Sequence, residues 1–508
     1  MARILRLSPL QRNTLACIAL FIITNVVVIS QYWGPRRIAL ALADAGTHDD
    51  AAAAALLESE SESAEEDAAL NPPRILLVSA LFAFPTTGPS ASNASATSYL
   101  ERLPRFLGPL TTDVYFYTTA DLAPAVRTAR GRGSDLDDLT MTIDSSFASP
   151  FDIPPLKGRE LVYSRMRRAA HNSARNNEDS KDAHDDDDDR KSTAVQSPEI
   201  FALRNAKPFF LEHAIATLGE MDDDYDYVFW VDAASFNDEE DSELELLRYT
   251  SWPDPARVET VWREGSRLTG EWKEDLVFFP MNDVPPESVK GWTEDMGPVE
   301  GRFSEGSFFG GPPASVKWLS RAFYAYHDYF IQLGFSSSVS ASSANRMGIV
   351  NALLLMYPSR FITVWVGDPQ APARVRANGG RAGPGLGLGV LSGGWIGNGN
   401  GNRGEAKAGR GYLGECGDEQ YYYRWWFSGQ ETREAVRSWW MGHDRHGAGS
   451  NSKAHGHGAQ MAWTWWKPMI RTPCRLTGVL GMESVLRRVF GEGWKVPVGT
   501  VSKPTRTW

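Results

Sequence analysis

Residues 226–235 read DYVFWVDAAS, in which an uninterrupted apolar run from Tyr227 to Val231 ends at Asp232. A strand that is apolar at every position is typical of a sheet whose two faces are both covered by helices. Ligands of such open α/β sheets collect at the carboxyl ends of the strands. A hard carboxylate oxygen there suits Mg²⁺ or Mn²⁺, although an aspartate in this position can equally cap the following turn. The run therefore predicts an α/β fold with Asp232 at its ligand-binding edge.

Apolar runs on both sides of this segment predict the other strands of the same sheet. They lie at 74–80, 114–118, 275–280, 308–311 and 361–365. Helical patterns separate them at 159–171, 198–219, 253–269, 313–333 and 345–356, with Pro208 breaking or starting a helix inside the second. The alternation of strands and helices predicts a doubly wound, mostly parallel sheet.

A second candidate for chemistry is the segment FSEGSFFGG at 303–311. Glu305 precedes an aromatic strand and could act as a general base toward a hydroxyl or stabilise positive charge on a sugar ring. Gly310 and Gly311 permit close approach of the backbone to a ligand. The alternative is a strand bounded by ordinary turns.

The third candidate is the segment RNAKP at 204–208, which contains Asn205 and Lys207. A lysine at a helix start can face the phosphates of a ligand, where the helix N-terminus adds partial positive charge. The alternative is a lysine in solvent.

The N-terminal region predicts a membrane anchor. Residues 14–30 carry no charge, and Arg3, Arg6 and Arg12 precede them. This charge asymmetry predicts a cytosolic tail (1–12), a type II signal-anchor (13–33) and an acidic, disordered stem (34–72). A cleaved signal peptide is the alternative. Either one delivers the rest of the chain to the secretory lumen.

The remainder divides into a luminal domain at 73–440 and a His/Gly linker with a Trp-rich tail at 441–508. Acidic and Gly-rich segments at 172–197 and 376–411 predict disordered inserts. The net charge of −11 arises from two acidic blocks, 44–67 and 178–189, and the rest of the chain carries +5. So small a positive charge does not indicate a nucleic-acid partner.

Two features suit a luminal domain. Cys416 and Cys474 can form a disulfide, or remain two free thiols. Asn93 begins the acceptor sequence Asn-Ala-Ser for N-glycosylation.

Taken together, the chain resembles a group of fungal glycosyltransferases with a GT-A-like fold, over 74–160 and 198–440. The resemblance rests on six segments: 198–210 (PEIFALRNAKPFF), 225–236 (YDYVFWVDAASF), 251–257 (SWPDPAR), 303–311 (FSEGSFFGG), 324–328 (YAYHD) and 414–418 (GECGD).

The resemblance implies a site for a nucleotide sugar. It places Asp232 where such enzymes keep an Asp-x-Asp motif for Mn²⁺ or Mg²⁺, and Ala234 stands at the second position here. It places Lys207 near the nucleotide, and it makes Glu305 the acceptor-side carboxylate. A further motif keeps Asn351, whereas Asn345 and Arg346 replace the family's Asp-Gln.

The sequence thus predicts a single-pass type II glycosyltransferase of the Golgi or endoplasmic reticulum membrane. It would transfer a sugar from a nucleotide sugar to a glycan or glycoprotein, with retention or inversion left open. The altered motifs favour an alternative, a catalytically silent binding or scaffold protein. A glycan hydrolase with Glu305 and a second acid is another alternative.

Overall fold

The computed structural model describes residues 72–82, 94–131, 140–165, 197–221, 224–236, 251–299, 301, 303–335, 347–365, 422–436 and 478–501. The predicted anchor (13–33), stem and inserts, apart from Pro72 and Ser197, lie outside these residues, as do Asn93, Cys416 and Cys474. No helix within the described ranges has the length and apolarity that a membrane span requires.

One mixed sheet of eight strands organises the α/β fold. The strands are β1 (Ile75–Leu81), β2 (Asp113–Thr118), β3 (Met141–Asp144), β4 (Tyr227–Val231), β5 (Val277–Phe278), β6 (Phe308–Gly311), β7 (Phe361–Thr363) and β8 (Leu480–Gly481). Their order across the sheet is β3-β2-β1-β4-β6-β5-β7-β8.

The first half of the sheet, β3-β2-β1-β4, is parallel throughout. The chain leaves β1 toward β2 on one side and later returns to place β4 on the other side. The strand order therefore reverses between β1 and β4, and the carboxyl ends of these two strands flank a topological switch point.

Six of the eight strands run in the same direction, in line with the expected mostly parallel sheet, and the second half contains the two reversed strands that make the sheet mixed. β6 runs antiparallel to both β4 and β5, and β8 runs antiparallel to β7, whereas β5 and β7 are parallel. An apolar run shows that a strand is buried on both faces, but burial does not depend on strand direction. The sequence pattern of β6 therefore could not reveal its orientation.

Helices cover both faces of the sheet, as predicted. They are α1 (Ala94–Leu107), α2 (Ala123–Arg130), α3 (Pro198–Gly219), α4 (Pro255–Thr269), α5 (Pro313–Gln332), α6 (Gly348–Met356), α7 (Tyr423–Trp426) and α8 (Met482–Phe490), with further helical turns at 160–165 and 430–436. Alternate residues of β1 point to opposite layers: Leu76 and Val78 pack with α3, α5, α6 and α8, whereas Ile75 and Leu77 pack with α1, α2 and α4.

Helix α3 is continuous through Pro208, where the sequence predicted a break or a helix start. Proline lacks the N–H that would bond to the carbonyl four residues earlier and so loosens the helix locally. The Tyr324 hydroxyl in α5 fits into this region, because it donates to the Asn205 carbonyl at 2.7 Å and accepts from the Phe209 N–H. The tyrosine supplies hydrogen bonds where the proline weakens the helical ladder.

The folded domain extends beyond residue 440, the predicted end of the luminal domain. β8 pairs with β7 at the edge of the sheet, and α8 buries Val485, Leu486 and Phe490 in the layer shared with α3 and α5. The part of the tail from 478 to 501 is therefore an element of the fold.

Candidate functional site

Asp232 is the first residue after β4 and lies at the switch point. Its backbone N–H donates to the Ser307 carbonyl at 2.8 Å. Its own carbonyl accepts from the N–H and the hydroxyl of Ser235, at 2.9 and 2.7 Å. The backbone of Asp232 thus holds the next turn, while the carboxylate accepts hydrogen bonds from Lys207 and Trp230.

Lys207 is the cation opposite this carboxylate. Its ammonium nitrogen Nζ lies 2.8 Å from Asp232 Oδ2 and 2.9 Å from the Gly306 carbonyl oxygen, and it lies 5.5 Å from the centre of the Trp230 ring. Only 7 % of the lysine side chain is exposed, against 26 % for the aspartate. Because α3 continues through Pro208, Lys207 stands mid-helix and not at the helix start that the sequence predicted, so the helix N-terminus adds no charge there.

Trp230 is the second hydrogen-bond donor to the carboxylate of Asp232. Its indole Nε1–H donates to Asp232 Oδ1 at 2.6 Å. Residues two apart on a strand share one face, so this contact could have been found from the sequence spacing. The apolar run that contains Trp230 predicts a buried side chain and does not by itself indicate this hydrogen bond.

Glu305 is a buried acid beside this pair, with 3 % of its surface exposed. Its Oε1 accepts from the Ser307 N–H at 2.9 Å, and its Oε2 accepts from Asn282 Nδ2 at 3.2 Å. Burial raises the pKa of Glu305 to about 7, whereas the hydrogen bonds from Ser307 and the charge of Lys207 oppose that rise. A carboxyl group with this pKa can exchange a proton near neutral pH.

Residues 305–307 connect the three charged groups. Gly306 accepts from Lys207, Ser307 accepts from the Asp232 backbone, and Ser307 donates to Glu305. The structure thus brings Asp232, Lys207 and Glu305 together from three separate segments. Asn282, which follows β5, was missed by the sequence analysis, since only tertiary packing brings it to Glu305.

Asn205, Gly310 and Gly311 make their contacts outside the group formed by Asp232, Lys207 and Glu305. Asn205 donates to the Tyr163 hydroxyl at 2.8 Å, and that hydroxyl lies 3.0 Å from His327 Nε2, in a buried network between α3 and α5. Gly310 and Gly311 lie within β6, where a Cβ on Gly310 would approach the Val228 carbonyl oxygen to 2.1 Å. Close packing accounts for both glycines, since a Cβ on Gly311 would lie 2.6 Å from the Leu276 carbonyl oxygen.

Asn351 is fully buried in α6, and its side chain contacts the segment before Glu305. It donates to the carbonyls of Val299 and Gly301 at 3.1 and 3.2 Å and accepts from the Ser304 hydroxyl. These bonds hold in place the chain segment that leads to Glu305. A role in cofactor binding stays a prediction.

Asp232 by itself is a poor donor set for Mn²⁺ or Mg²⁺. Both carboxylate oxygens already accept hydrogen bonds, one from an ammonium and one from an indole N–H. Mg²⁺ prefers six oxygen ligands in octahedral geometry. Within the described ranges, no group of three His, Cys, Asp or Glu residues is arranged to hold a metal ion.

The chain has structural similarity to a solved glycosyltransferase at a low level only. The chain is similar to the apo crystal structure of mouse xyloside xylosyltransferase 1, with 8 % sequence identity and a TM-score of 0.26, over 57 % of this chain and 83 % of that chain. At this TM-score the similarity carries no weight for fold or function. No protein-family model matches the chain, and no curated protein matches it.

Proposed function

We propose that this chain is a glycosyltransferase of the secretory pathway, which transfers a sugar from a nucleotide sugar to a hydroxyl of a glycan or glycoprotein. The observation that carries the proposal is the Lys207–Asp232 pair at the switch point, with the buried acid Glu305 connected to it through 306 and 307. Open α/β sheets bind ligands at this place in the fold. The anchor at 13–33 would hold the domain in the Golgi or endoplasmic reticulum membrane.

Each group has a role in this reaction. Lys207 offsets negative charge on the diphosphate of the donor, and Asp232 fixes the position of the lysine ammonium. Glu305 accepts the proton of the attacking hydroxyl as the new bond forms between that oxygen and the anomeric carbon of the sugar. The bond from the anomeric carbon to the diphosphate breaks, and the nucleoside diphosphate leaves with the electron pair.

A catalytically silent binding protein is the second candidate. It is favoured by the burial of Glu305 and by the hydrogen bonds that already occupy both oxygens of Asp232. Such a protein would bind its partner through this edge of the sheet without turning over a donor. A glycan hydrolase would instead release free sugar from a glycan, with Glu305 and Asp232 as its two acids.

The test is a thermal-shift screen of the full-length protein in detergent against nucleoside diphosphates and nucleotide sugars, followed by assay of donor hydrolysis. A ligand at 100 times its Kd should stabilise the protein by about 2.7 kcal/mol. We expect one nucleotide class to raise the Tm, and Asp232→Asn to abolish both the shift and the slow hydrolysis of that donor.

The matched control is Asp275→Asn. This variant removes a carboxylate that pairs with Arg360 at 2.6 Å and lies before the amino end of β5, whereas Asp232 follows the carboxyl end of β4. It should leave ligand binding unchanged. Donor hydrolysis that survives in Asp232→Asn would remove Asp232 from the site. A folded wild type that responds to no nucleotide would favour the binding protein.

A further inference from the structure

We propose that this site binds its anionic ligand without a divalent cation, because the Lys207 ammonium occupies the place beside Asp232 where such a cation would lie. The inference rests on the proposed function and specifies its cofactor requirement. It departs from the Mn²⁺ or Mg²⁺ that the sequence predicted.

The ammonium is a fixed group. It is held between Asp232 Oδ2 at 2.8 Å and the Gly306 carbonyl at 2.9 Å, next to the Trp230 ring. Two of its three N–H donors are used in this way. The third N–H is the one from which a phosphate oxygen of the ligand would accept a hydrogen bond.

The charge balance of the site also disfavours a second cation. Asp232 carries one negative charge, and the ammonium at 2.8 Å already compensates it. Arg204 lies one turn earlier in α3, and the charge of Asp232 acts to raise its pKa, against a stronger effect of burial. A divalent ion placed against the same carboxylate would face two basic side chains, and like charges at short range repel.

Coordination chemistry gives an independent reason. A metal ion binds through lone pairs, but the groups that surround the carboxylate of Asp232 are donors, namely the Lys207 ammonium and the Trp230 indole N–H. A cation bound through the remaining lone pairs would lie beside a donor hydrogen on either oxygen. At Oδ2 it would also lie next to the ammonium charge, which it would have to displace or tolerate at short range.

The experiment uses full-length protein in detergent and two probes, Mn²⁺ alone and inorganic pyrophosphate. Binding of Mn²⁺ is followed by the loss of the electron paramagnetic resonance signal of the free ion. Binding of pyrophosphate is followed by thermal shift in the presence of EDTA. We expect the wild type and Asp232→Asn to bind the same amount of Mn²⁺. We also expect pyrophosphate to raise the Tm in EDTA.

Lys207→Met keeps the length of the side chain and removes the charge, so it should abolish the pyrophosphate shift. Lys273→Met is the matched control, since Lys273 pairs with Glu259 at 2.6 Å near the amino end of β4, and it should keep the shift. If Lys207→Met does not fold, Mn²⁺ binding and the pyrophosphate shift of the wild type still test whether the site needs a divalent cation.

Three results would overturn the inference: Mn²⁺ bound by the wild type and lost in Asp232→Asn, a pyrophosphate shift that needs Mn²⁺, or no shift in EDTA. A nucleotide sugar that binds only with Mn²⁺ would overturn it as well, yet would leave the proposed function standing. Failure of every nucleotide sugar would count against the proposed function itself.

Discussion

Ser304 donates a hydrogen bond to the side-chain amide oxygen of Asn351, so that α6 is tied to the residue directly before Glu305. The amide nitrogen of the same asparagine donates to two backbone carbonyls, at Val299 and Gly301. One buried side chain in α6 therefore fixes the segment that delivers the candidate base to the site.

Asn351→Ala should destabilise the fold strongly. It leaves the carbonyls of Val299 and Gly301 without this donor, and each unsatisfied buried group costs about 1–3 kcal/mol, so we expect a loss of up to about 6 kcal/mol in urea unfolding. Ser304→Ala is the control, because it leaves one buried acceptor, Asn351 Oδ1, without its donor and should cost about 1–3 kcal/mol. Equal losses of stability in the two variants would contradict the inference that Asn351 fixes the segment before Glu305.

Glu305 should make stability depend on pH. Its pKa is about 7 in the fold, against an ordinary value of 4.5, so the folded state holds the proton more tightly than the unfolded state. The stabilisation from this proton is present below about pH 4.5 and is lost as the pH rises to about 7, by about 3 kcal/mol in all. The free energy of unfolding of the wild type, minus that of Glu305→Gln, should fall across this window. A constant difference would show that Glu305 has an ordinary pKa.

Gly310→Ala tests whether packing alone requires glycine in β6. The new Cβ would lie 2.1 Å from the Val228 carbonyl oxygen and 2.8 Å from the Phe229 Cα, so neighbouring strands must separate. We expect a loss of about 3 kcal/mol or more, or no folding. Gly291→Ala, where nothing lies within 4 Å, should change stability little. A stable Gly310→Ala protein that has lost only ligand binding would restore the predicted role in binding.

A chain that ends at residue 440 should not fold cooperatively. It would lack β8 and α8, and thereby the buried side chains of Met482, Val485, Leu486 and Phe490. The layer formed by α5, α6 and β7 would be exposed to water. A chain ending at Val501 retains these elements and should unfold in a single transition by circular dichroism. A cooperative transition in the shorter chain would show that the tail is dispensable.

Continuous burial is what made much of the sheet predictable. β1, β2, β4 and β6 are apolar at nearly every position, and the sequence placed them within one or two residues. β3 and β8 were missed, since β3 is half exposed and β8 is only two residues long, so neither leaves an apolar run. α1 was missed as well, because Pro104 interrupts its pattern.

The candidate residues could be predicted from the sequence, whereas the contacts that join them could not. Asp232 and Glu305 were found because each adjoins an apolar strand, and their proximity depends on the antiparallel pairing of β4 with β6. Nothing in the local sequence indicates that pairing. The ion pair with Lys207 likewise depends on how α3 packs on β4, so the local sequence leaves both a ligand-facing lysine and a solvated lysine open.

The pairing of β8 with β7 has a consequence for the kinetics of folding. Ile362 pairs with Gly481, which lies 481 − 362 = 119 positions later in the chain. Closing so long a loop has a large entropic cost, and contacts of high sequence separation form slowly. The strand is short and at the sheet edge, so it should be the last to dock and the first to detach. Backbone amides of β8 should therefore exchange with solvent well before those of β1 at the centre of the parallel half.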